Sequence, residues 1–93
     1  MIQGFADSEA ALVWSGRRSR KLPPDIQPTA LRKLRLLNQA RVLADLRAPQ
    51  GNRLEALKAN RAGQHSIRIN DQWRVVFRWT DAGPEDVEII DYH

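Results

Sequence analysis

Cysteine is absent from this chain of 93 residues, and histidine occurs only twice. Without thiols the protein can form neither disulfide bonds nor thiolate metal sites, which suits a reducing compartment. Paired carboxylates at the spacing of metal ligands are missing as well. The sequence therefore predicts no metal site, and we expect a function that needs no cofactor.

Long apolar runs are also missing, since no stretch approaches the roughly 20 residues that a membrane-spanning helix needs. The first ten residues, MIQGFADSEA, lack the basic start and apolar stretch of a signal peptide. We therefore expect a cytoplasmic protein with no membrane partner. The length predicts a single domain over residues 1–93.

Two signatures of catalysis are not found either. Gly51 and Gly63 are isolated, so there is no glycine-rich loop to bind phosphate. Ser66 is the only serine near the predicted strands, and no nucleophile elbow surrounds it. A serine hydrolase is therefore disfavoured.

Positive charge, in contrast, is concentrated in the body of the chain. All fifteen Lys and Arg residues lie between Arg17 and Arg78, together with only four acids. From Asp81 onward there are five acids and neither Lys nor Arg. A basic body suggests an anionic partner, with RNA or DNA the commonest candidates.

Two apolar and polar alternations, Gln64–Asn70 and Trp73–Trp79, predict an antiparallel hairpin. A three-residue loop would set Arg68 opposite Arg74 and leave the apolar side chains on the other face. The predicted open face carries four residues: Ser66, Arg68, Arg74 and Arg78. Two arginines side by side destabilise a sheet unless their charge is relieved. Either an anion lies over them or both side chains extend into solvent, and the sequence leaves both possibilities open.

A third run, Val87–Tyr92, predicts a further strand, with Trp79 opposite Val87 and Arg78 paired with Glu88. The same register would place Tyr92 opposite Arg74. The C-terminus would then border the arginine-bearing face.

Helical patterns fill the N-terminal half. Asp7 or Ser8 can cap a short helix that reaches Trp14, and a longer helical pattern runs from about residue 25 to residue 41. The fold class predicted is α+β, with two N-terminal helices packed on one face of a small antiparallel sheet.

A cationic and protic set remains as the candidate site: Lys58, Arg61, Arg68, Arg74, Tyr92 and His93. Arginine forks donate two hydrogen bonds to phosphate oxygens, and histidine titrates near neutrality. Such a set can bind RNA and stabilise a pentacovalent phosphate formed by attack of the substrate 2′-hydroxyl. On these residues alone the signal for an active site is weak, and solvated surface cations remain the alternative.

The stretch GNRLEALKANRAGQHSIRINDQWRVVFRW and the final DVEIIDYH closely resemble the HigB branch of the RelE superfamily of bacterial toxins. The likeness extends to the FADSEAALVWSG start and to RSRKLPPDIQPTALRKL. It implies a RelE-like microbial RNase fold and a ribosome-dependent endoribonuclease that cuts mRNA in the ribosomal A site. It also implies a HigA-type helix-turn-helix antitoxin as partner, with operator DNA bound only through the toxin–antitoxin complex.

The resemblance assigns Lys58, Arg74 and His93 to catalysis or phosphate stabilisation, and Asp91 and Tyr92 to shaping the site. Some relatives carry a histidine where this chain has Glu55, so Glu55 and His93 both stand as candidates for the general base. The further cations are implied to bind RNA: Arg61, Arg53, Arg68, Arg17, Arg18, Arg20 and Lys21. The alternative is a non-catalytic RNA- or ribosome-binding module that blocks translation by occupancy.

Overall fold

The computed structural model describes residues 1–92 and consists of two α-helices, a four-stranded antiparallel sheet and short 3₁₀ turns. The helices are α1 (Ser8–Trp14) and α2 (Gln27–Gln39). The strands are β1 (Glu55–Ala56), β2 (His65–Arg68), β3 (Trp73–Thr80) and β4 (Gly83–Asp91), in the order β1-β2-β3-β4. The 3₁₀ turns are Pro24–Ile26, Leu43–Arg47, Gln50–Asn52 and Ala59–Arg61. The predicted α+β class is confirmed.

Helix α1 ends at Trp14 as the sequence predicts, whereas α2 is two residues shorter at each end than the predicted span of residues 25–41, and residues 24–26 form a 3₁₀ turn instead. The Asp7 carboxylate accepts a hydrogen bond from the Glu9 N–H at 3.0 Å and caps α1, while Gly16, with φ of 84°, follows its end. Pro28 lies in the first turn of α2, where a missing N–H costs nothing. No helix within residues 1–92 is long and apolar enough to cross a membrane.

The core lies between the helices and one face of the sheet. Leu34 and Leu37 of α2 are fully buried against Ile67, Val75 and Phe77 of the sheet. This arrangement leaves the opposite face of β2, β3 and β4 for the polar residues of the predicted site.

The β2–β3 register is the predicted one, with Ile67 opposite Val75 and Arg68 opposite Arg74. The Asn70 side chain accepts hydrogen bonds from the backbone N–H groups of Gln72 at 2.8 Å and Trp73 at 2.7 Å. Asn commonly stabilises a turn in this way, and the bonds fix the length of the loop.

The predicted β3–β4 register is wrong by three residues next to the turn and by two residues at the other end of the strands. The turn between the strands is shorter than predicted, because Thr80 already pairs with Gly83. A bulge near Asp86, whose φ is 51°, then shifts the pairing by one residue, so that Trp73 lies opposite Asp91.

This shift corrects two predicted contacts. Arg78 lies opposite Glu85 and forms its ion pair with Asp86 at 3.8 Å, instead of pairing with Glu88. Arg74 lies opposite Ile90, not Tyr92. The predicted open face is also partly closed, since Ser66 is fully buried there.

Candidate functional site

Arg74 is the centre of the polar face, and its side chain is only 13% exposed. Its Nη1 donates to Ser66 Oγ at 3.1 Å and to the Arg53 carbonyl oxygen at 3.2 Å. The same nitrogen lies 3.6 Å from Glu55 Oε2. Two segments, residues 53–55 and strand β2, therefore fix one guanidinium group.

Tyr92 completes this cluster from the end of the chain. Its ring centroid lies 4.9 Å from Arg74 Cζ, within the range of a cation–π contact, and its hydroxyl donates to Glu55 Oε1 at 3.1 Å. Glu55 thus contacts Arg74 with one oxygen and Tyr92 with the other. The sequence-based expectation that the C-terminus borders the arginine face is met despite the shifted strand register.

A cleft of about 340 Å³ opens beside this cluster. Its lining contains a carboxylate, an aromatic ring, an amide and two cations: Glu55, Tyr92, Asn60, Lys58 and Arg61. The volume suits a small ligand of the size of a nucleotide. The exposed Lys58 directly precedes the 3₁₀ turn Ala59–Arg61, which forms one wall.

Arg61 lies in the cleft but is already paired. Its Nη1 donates to Glu88 Oε1 at 2.5 Å and to Gln64 Oε1 at 3.1 Å. An arginine carries five N–H donors, so the remaining donors can still contact a phosphate.

Arg68 extends the cationic surface away from the cleft. Its Nη2 donates to Asp71 Oδ1 at 2.5 Å. This hydrogen bond and the positive charges of Arg68 and Arg53 lower the pKa of the Asp71 carboxyl. Arg53 itself is exposed, and its backbone contacts Arg74 through the carbonyl group.

The basic segment at residues 17–21 does not line the cleft. Its four cations, Arg17, Arg18, Arg20 and Lys21, are exposed. The segment is nevertheless ordered, because the buried Ser19 donates to Glu9 Oε1 at 2.6 Å and its N–H donates to Gln27 Oε1 at 3.0 Å. A second cationic surface therefore lies outside the Arg74 cluster.

Of the last three predicted site residues, Asp91 and Tyr92 are described by the structure. Asp91 Oδ2 accepts from Gln72 Nε2 at 3.0 Å, while the Tyr92 N–H donates to the Gln72 carbonyl at 2.6 Å. These bonds fix the approach of Tyr92 to Arg74. His93 lies outside the described residues. Within residues 1–92 no group of three or more His, Asp or Glu side chains could hold a metal ion.

Several residues that support the site could not be assigned a role from the sequence. Ser66 is one of them, although the predicted register already placed it on the same face as Arg74. Asn52 and Lys33 are others, and they contact each other between a helix and a loop that are distant in the chain. A contact between residues so far apart in the chain leaves no periodic pattern in the sequence, so it could not be predicted.

The α+β fold is consistent with that of a RelE-like toxin, and comparison with known families agrees. Residues 5–93 match the model of the HigB-like toxins, described as RelE-like toxins of the type II toxin–antitoxin system HigB. The chain belongs to this family, and as a toxin of a type II system it has an antitoxin as partner.

Two relatives illustrate the likeness. Toxin HigB-1 of Vibrio cholerae serotype O1 is 45% identical over 65 residues, which cover 70% of this chain and 68% of that protein. An uncharacterized protein of Haemophilus influenzae is 31% identical over 64 residues, covering 69% of this chain and 63% of that protein.

Proposed function

We propose that this toxin is a ribosome-dependent mRNA endoribonuclease that inhibits translation by cleaving mRNA in the ribosomal A site. The observation that carries the proposal is the convergence of Arg74, Glu55 and Tyr92 beside the cleft that Lys58 lines. These residues provide positive charge, a carboxylate and an aromatic ring at one place. A phosphodiester and its neighbouring base match that combination.

The proposed reaction uses the RNA's own 2′-hydroxyl as nucleophile. A base removes the 2′ proton, the 2′ oxygen attacks the adjacent phosphorus, and the bond to the 5′ oxygen of the next nucleotide breaks as that oxygen takes up a proton. The upstream fragment retains a 2′,3′-cyclic phosphate, and the downstream fragment begins with a 5′-hydroxyl. Neither step requires a metal ion or another cofactor.

The protein residues divide this work by their chemistry. Arg74 and Lys58 stabilise the charge on the pentacovalent phosphate, and Tyr92 stacks on a base. His93 is our main candidate for the acid–base group, because imidazole titrates near neutrality. Glu55, with both oxygens already engaged by Arg74 and Tyr92, is the minor candidate for the base and a positioning group for both partners.

The remaining cations bind RNA without taking part in the reaction. Arg61 lines the cleft, whereas Arg53 and Arg68 lie outside its lining. The segment at residues 17–21 contacts phosphates of the ribosome or the message. Cleavage takes place in the cytoplasm. The antitoxin is a HigA-type helix-turn-helix protein, and operator DNA is bound only through the toxin–antitoxin complex.

The decisive experiment maps the 5′ ends of cellular mRNA after the toxin is induced. Wild-type protein should produce new ends within reading frames, and Arg74→Ala should produce none. Arg78→Ala is the matched control, because it also removes one positive charge from strand β3. The Arg78 side chain pairs with Asp86 and does not line the cleft. Intact messages together with arrested translation would contradict cleavage and identify a module that acts by occupancy.

A further inference from the structure

A line of hydrogen bonds connects helix α2 with Arg74, although the helix lies outside the cleft. Lys33 Nζ donates to Asn52 Oδ1 at 2.5 Å. Asn52 is fully buried, and its Nδ2 donates to the carbonyl oxygens of Leu46 and Ala48, each at 3.2 Å. Every polar atom of the Asn52 side chain is thus bonded, and the side chain has one orientation.

The loop that follows Asn52 contacts the site directly. Arg53 has left-handed backbone angles, φ 45° and ψ 56°, which a residue other than glycine adopts only where its surroundings enforce them. Its N–H donates to the Gln50 carbonyl at 3.2 Å, and its own carbonyl accepts from Arg74 Nη1 at 3.2 Å. The position of this carbonyl therefore depends on the neighbouring Asn52.

Lys33 is an unusual hydrogen-bond partner for the buried Asn52 side chain. Burial lowers the pKa of its amino group, and the positive charges of Arg32 and Arg68 lower it further. Within residues 1–92 it forms no ion pair with a carboxylate; its hydrogen bond goes to a neutral amide. A half-buried ammonium without a counter-charge costs stability, so stability alone does not explain its position.

We propose that Lys33 and Asn52 are positioning residues of the cleavage site, which hold the Arg53 carbonyl so that it directs the Arg74 guanidinium toward the cleft. The inference rests on the proposed function for the role of Arg74 at the phosphate. Lys33 and Asn52 touch no substrate themselves. They act by restricting Arg74 to one arrangement, and a misplacement of about 1 Å at a reacting site can lower a rate by about 100-fold.

The test compares Lys33→Met with Arg32→Met. Both variants remove one positive charge from adjacent positions of α2, but Arg32 donates to Thr29 Oγ1 at 3.2 Å and not to Asn52. Single-turnover cleavage is measured on purified ribosomes carrying mRNA, across a range of toxin concentrations. K33M should lower the maximal rate by about tenfold and change the half-saturating concentration by less than about twofold. R32M should leave the maximal rate unchanged.

A second readout follows Arg74 itself in the free toxin. The Nε–Hε NMR signal of Arg74, assigned through Arg74→Lys, should shift in K33M and stay in place in R32M. Lys33→Arg keeps the charge and the donor, and should restore both the signal and the rate. If K33M does not fold, Lys33→Gln replaces it, since the amide can donate but has a shorter reach.

The outcomes are separable. An unmoved Arg74 signal in a folded Lys33 variant would overturn the positioning role, whatever the rate. A raised half-saturating concentration with an unchanged maximal rate would overturn it too, by making Lys33 a phosphate contact. If wild-type toxin cleaves no RNA, the proposed function fails, while the Arg74 signal still decides whether Lys33 positions this side chain.

Discussion

At the scale of single residues, Arg74 is held by contacts that leave little freedom to its guanidinium group. Ser66 Oγ, the Arg53 carbonyl and Glu55 Oε2 all lie within 3.6 Å of its Nη1. An enzyme gains most from charges that are already oriented before the substrate binds. The proposed role of Arg74 therefore depends on the planar guanidinium group and not on its charge alone.

Arg74→Lys separates the fork from the charge. The substitution keeps a positive side chain but cannot maintain both hydrogen bonds and still face a phosphate, so single-turnover cleavage should fall by about 100-fold. Ribosome binding should change little. Arg78→Lys is the matched control on the same strand, and an equal loss of cleavage in both variants would show that the fork at position 74 has no special role.

The general base is a second question at this scale. Removal of His93 should lower cleavage by about 100-fold to 10,000-fold, the usual contribution of an acid–base group. Glu55→Gln should cost about tenfold, because it loosens Arg74 and Tyr92 without removing the imidazole. The reverse order of the two losses, measured by single-turnover kinetics from pH 5 to pH 9, would assign the base to Glu55.

At the scale of elements, turns decided which sequence predictions succeeded. The β2–β3 register could be predicted because Asn70 stabilises a three-residue loop and because Ile67 and Val75 require the same face. The β3–β4 register could not be predicted, because neither the short turn between Thr80 and Gly83 nor the bulge at Asp86 leaves a trace in the alternating pattern. The contact between Arg74 and Tyr92 was therefore predicted correctly, but from a strand register that is wrong. The Lys33–Asn52 contact could not be inferred from the sequence at all.

Two glycines test the importance of the β3–β4 turn. Gly83 has a φ of 129°, and a Cβ there would collide with the backbone of Met1, whereas Gly16 has a φ of 84° and open space around it. Gly16→Ala should therefore cost only backbone strain, about 1 kcal/mol, and Gly83→Ala should cost more than about 2 kcal/mol. Urea unfolding measures both, and equal losses would contradict the packing of Met1 against this turn.

The 3₁₀ turn Leu43–Arg47 depends on a carboxylate. Backbone N–H groups of Arg41 and Val42 donate to Asp45 Oδ2 and lower the pKa of the Asp45 carboxyl below its usual 3.8. A depressed folded pKa stabilises the fold above the unfolded pKa, and this stabilisation is lost as the pH falls through the folded value. Asp45→Asn should thus have a lower Tm than wild type at pH 6, with the difference disappearing as the pH falls below the folded pKa of Asp45. A difference independent of pH would exclude this carboxylate effect.

At the scale of the whole molecule, the positive charge forms two surfaces with different expected roles. One surrounds the cleft at Arg74, and the other is the ordered segment at residues 17–21. Because the second lies outside the cleft lining, it should contribute to affinity without contributing to the reaction. We therefore expect ribosome binding and cleavage to be separable by substitutions on the two surfaces.

Replacing Arg17, Arg18 and Arg20 together by Gln tests this separation. Each lost phosphate contact should reduce the slope of log affinity against log salt by about 0.7 to 0.9, so the slope should fall by about 2 to 3. The maximal cleavage rate on saturated ribosomes should stay at the wild-type value. A salt slope equal to that of wild type would show that this segment contacts no phosphate.

The central claim is that the Arg74 cluster promotes attack by the RNA's own 2′-hydroxyl. The chemical ends of the cut message test it most directly, with purified ribosomes, a defined mRNA and the toxin. Attack by the 2′-hydroxyl should leave a 5′-hydroxyl on the downstream fragment and a 2′,3′-cyclic phosphate on the upstream fragment, and both should be absent with Arg74→Ala. A 5′-phosphate on the downstream fragment, or translation arrested over an uncut message, would contradict it.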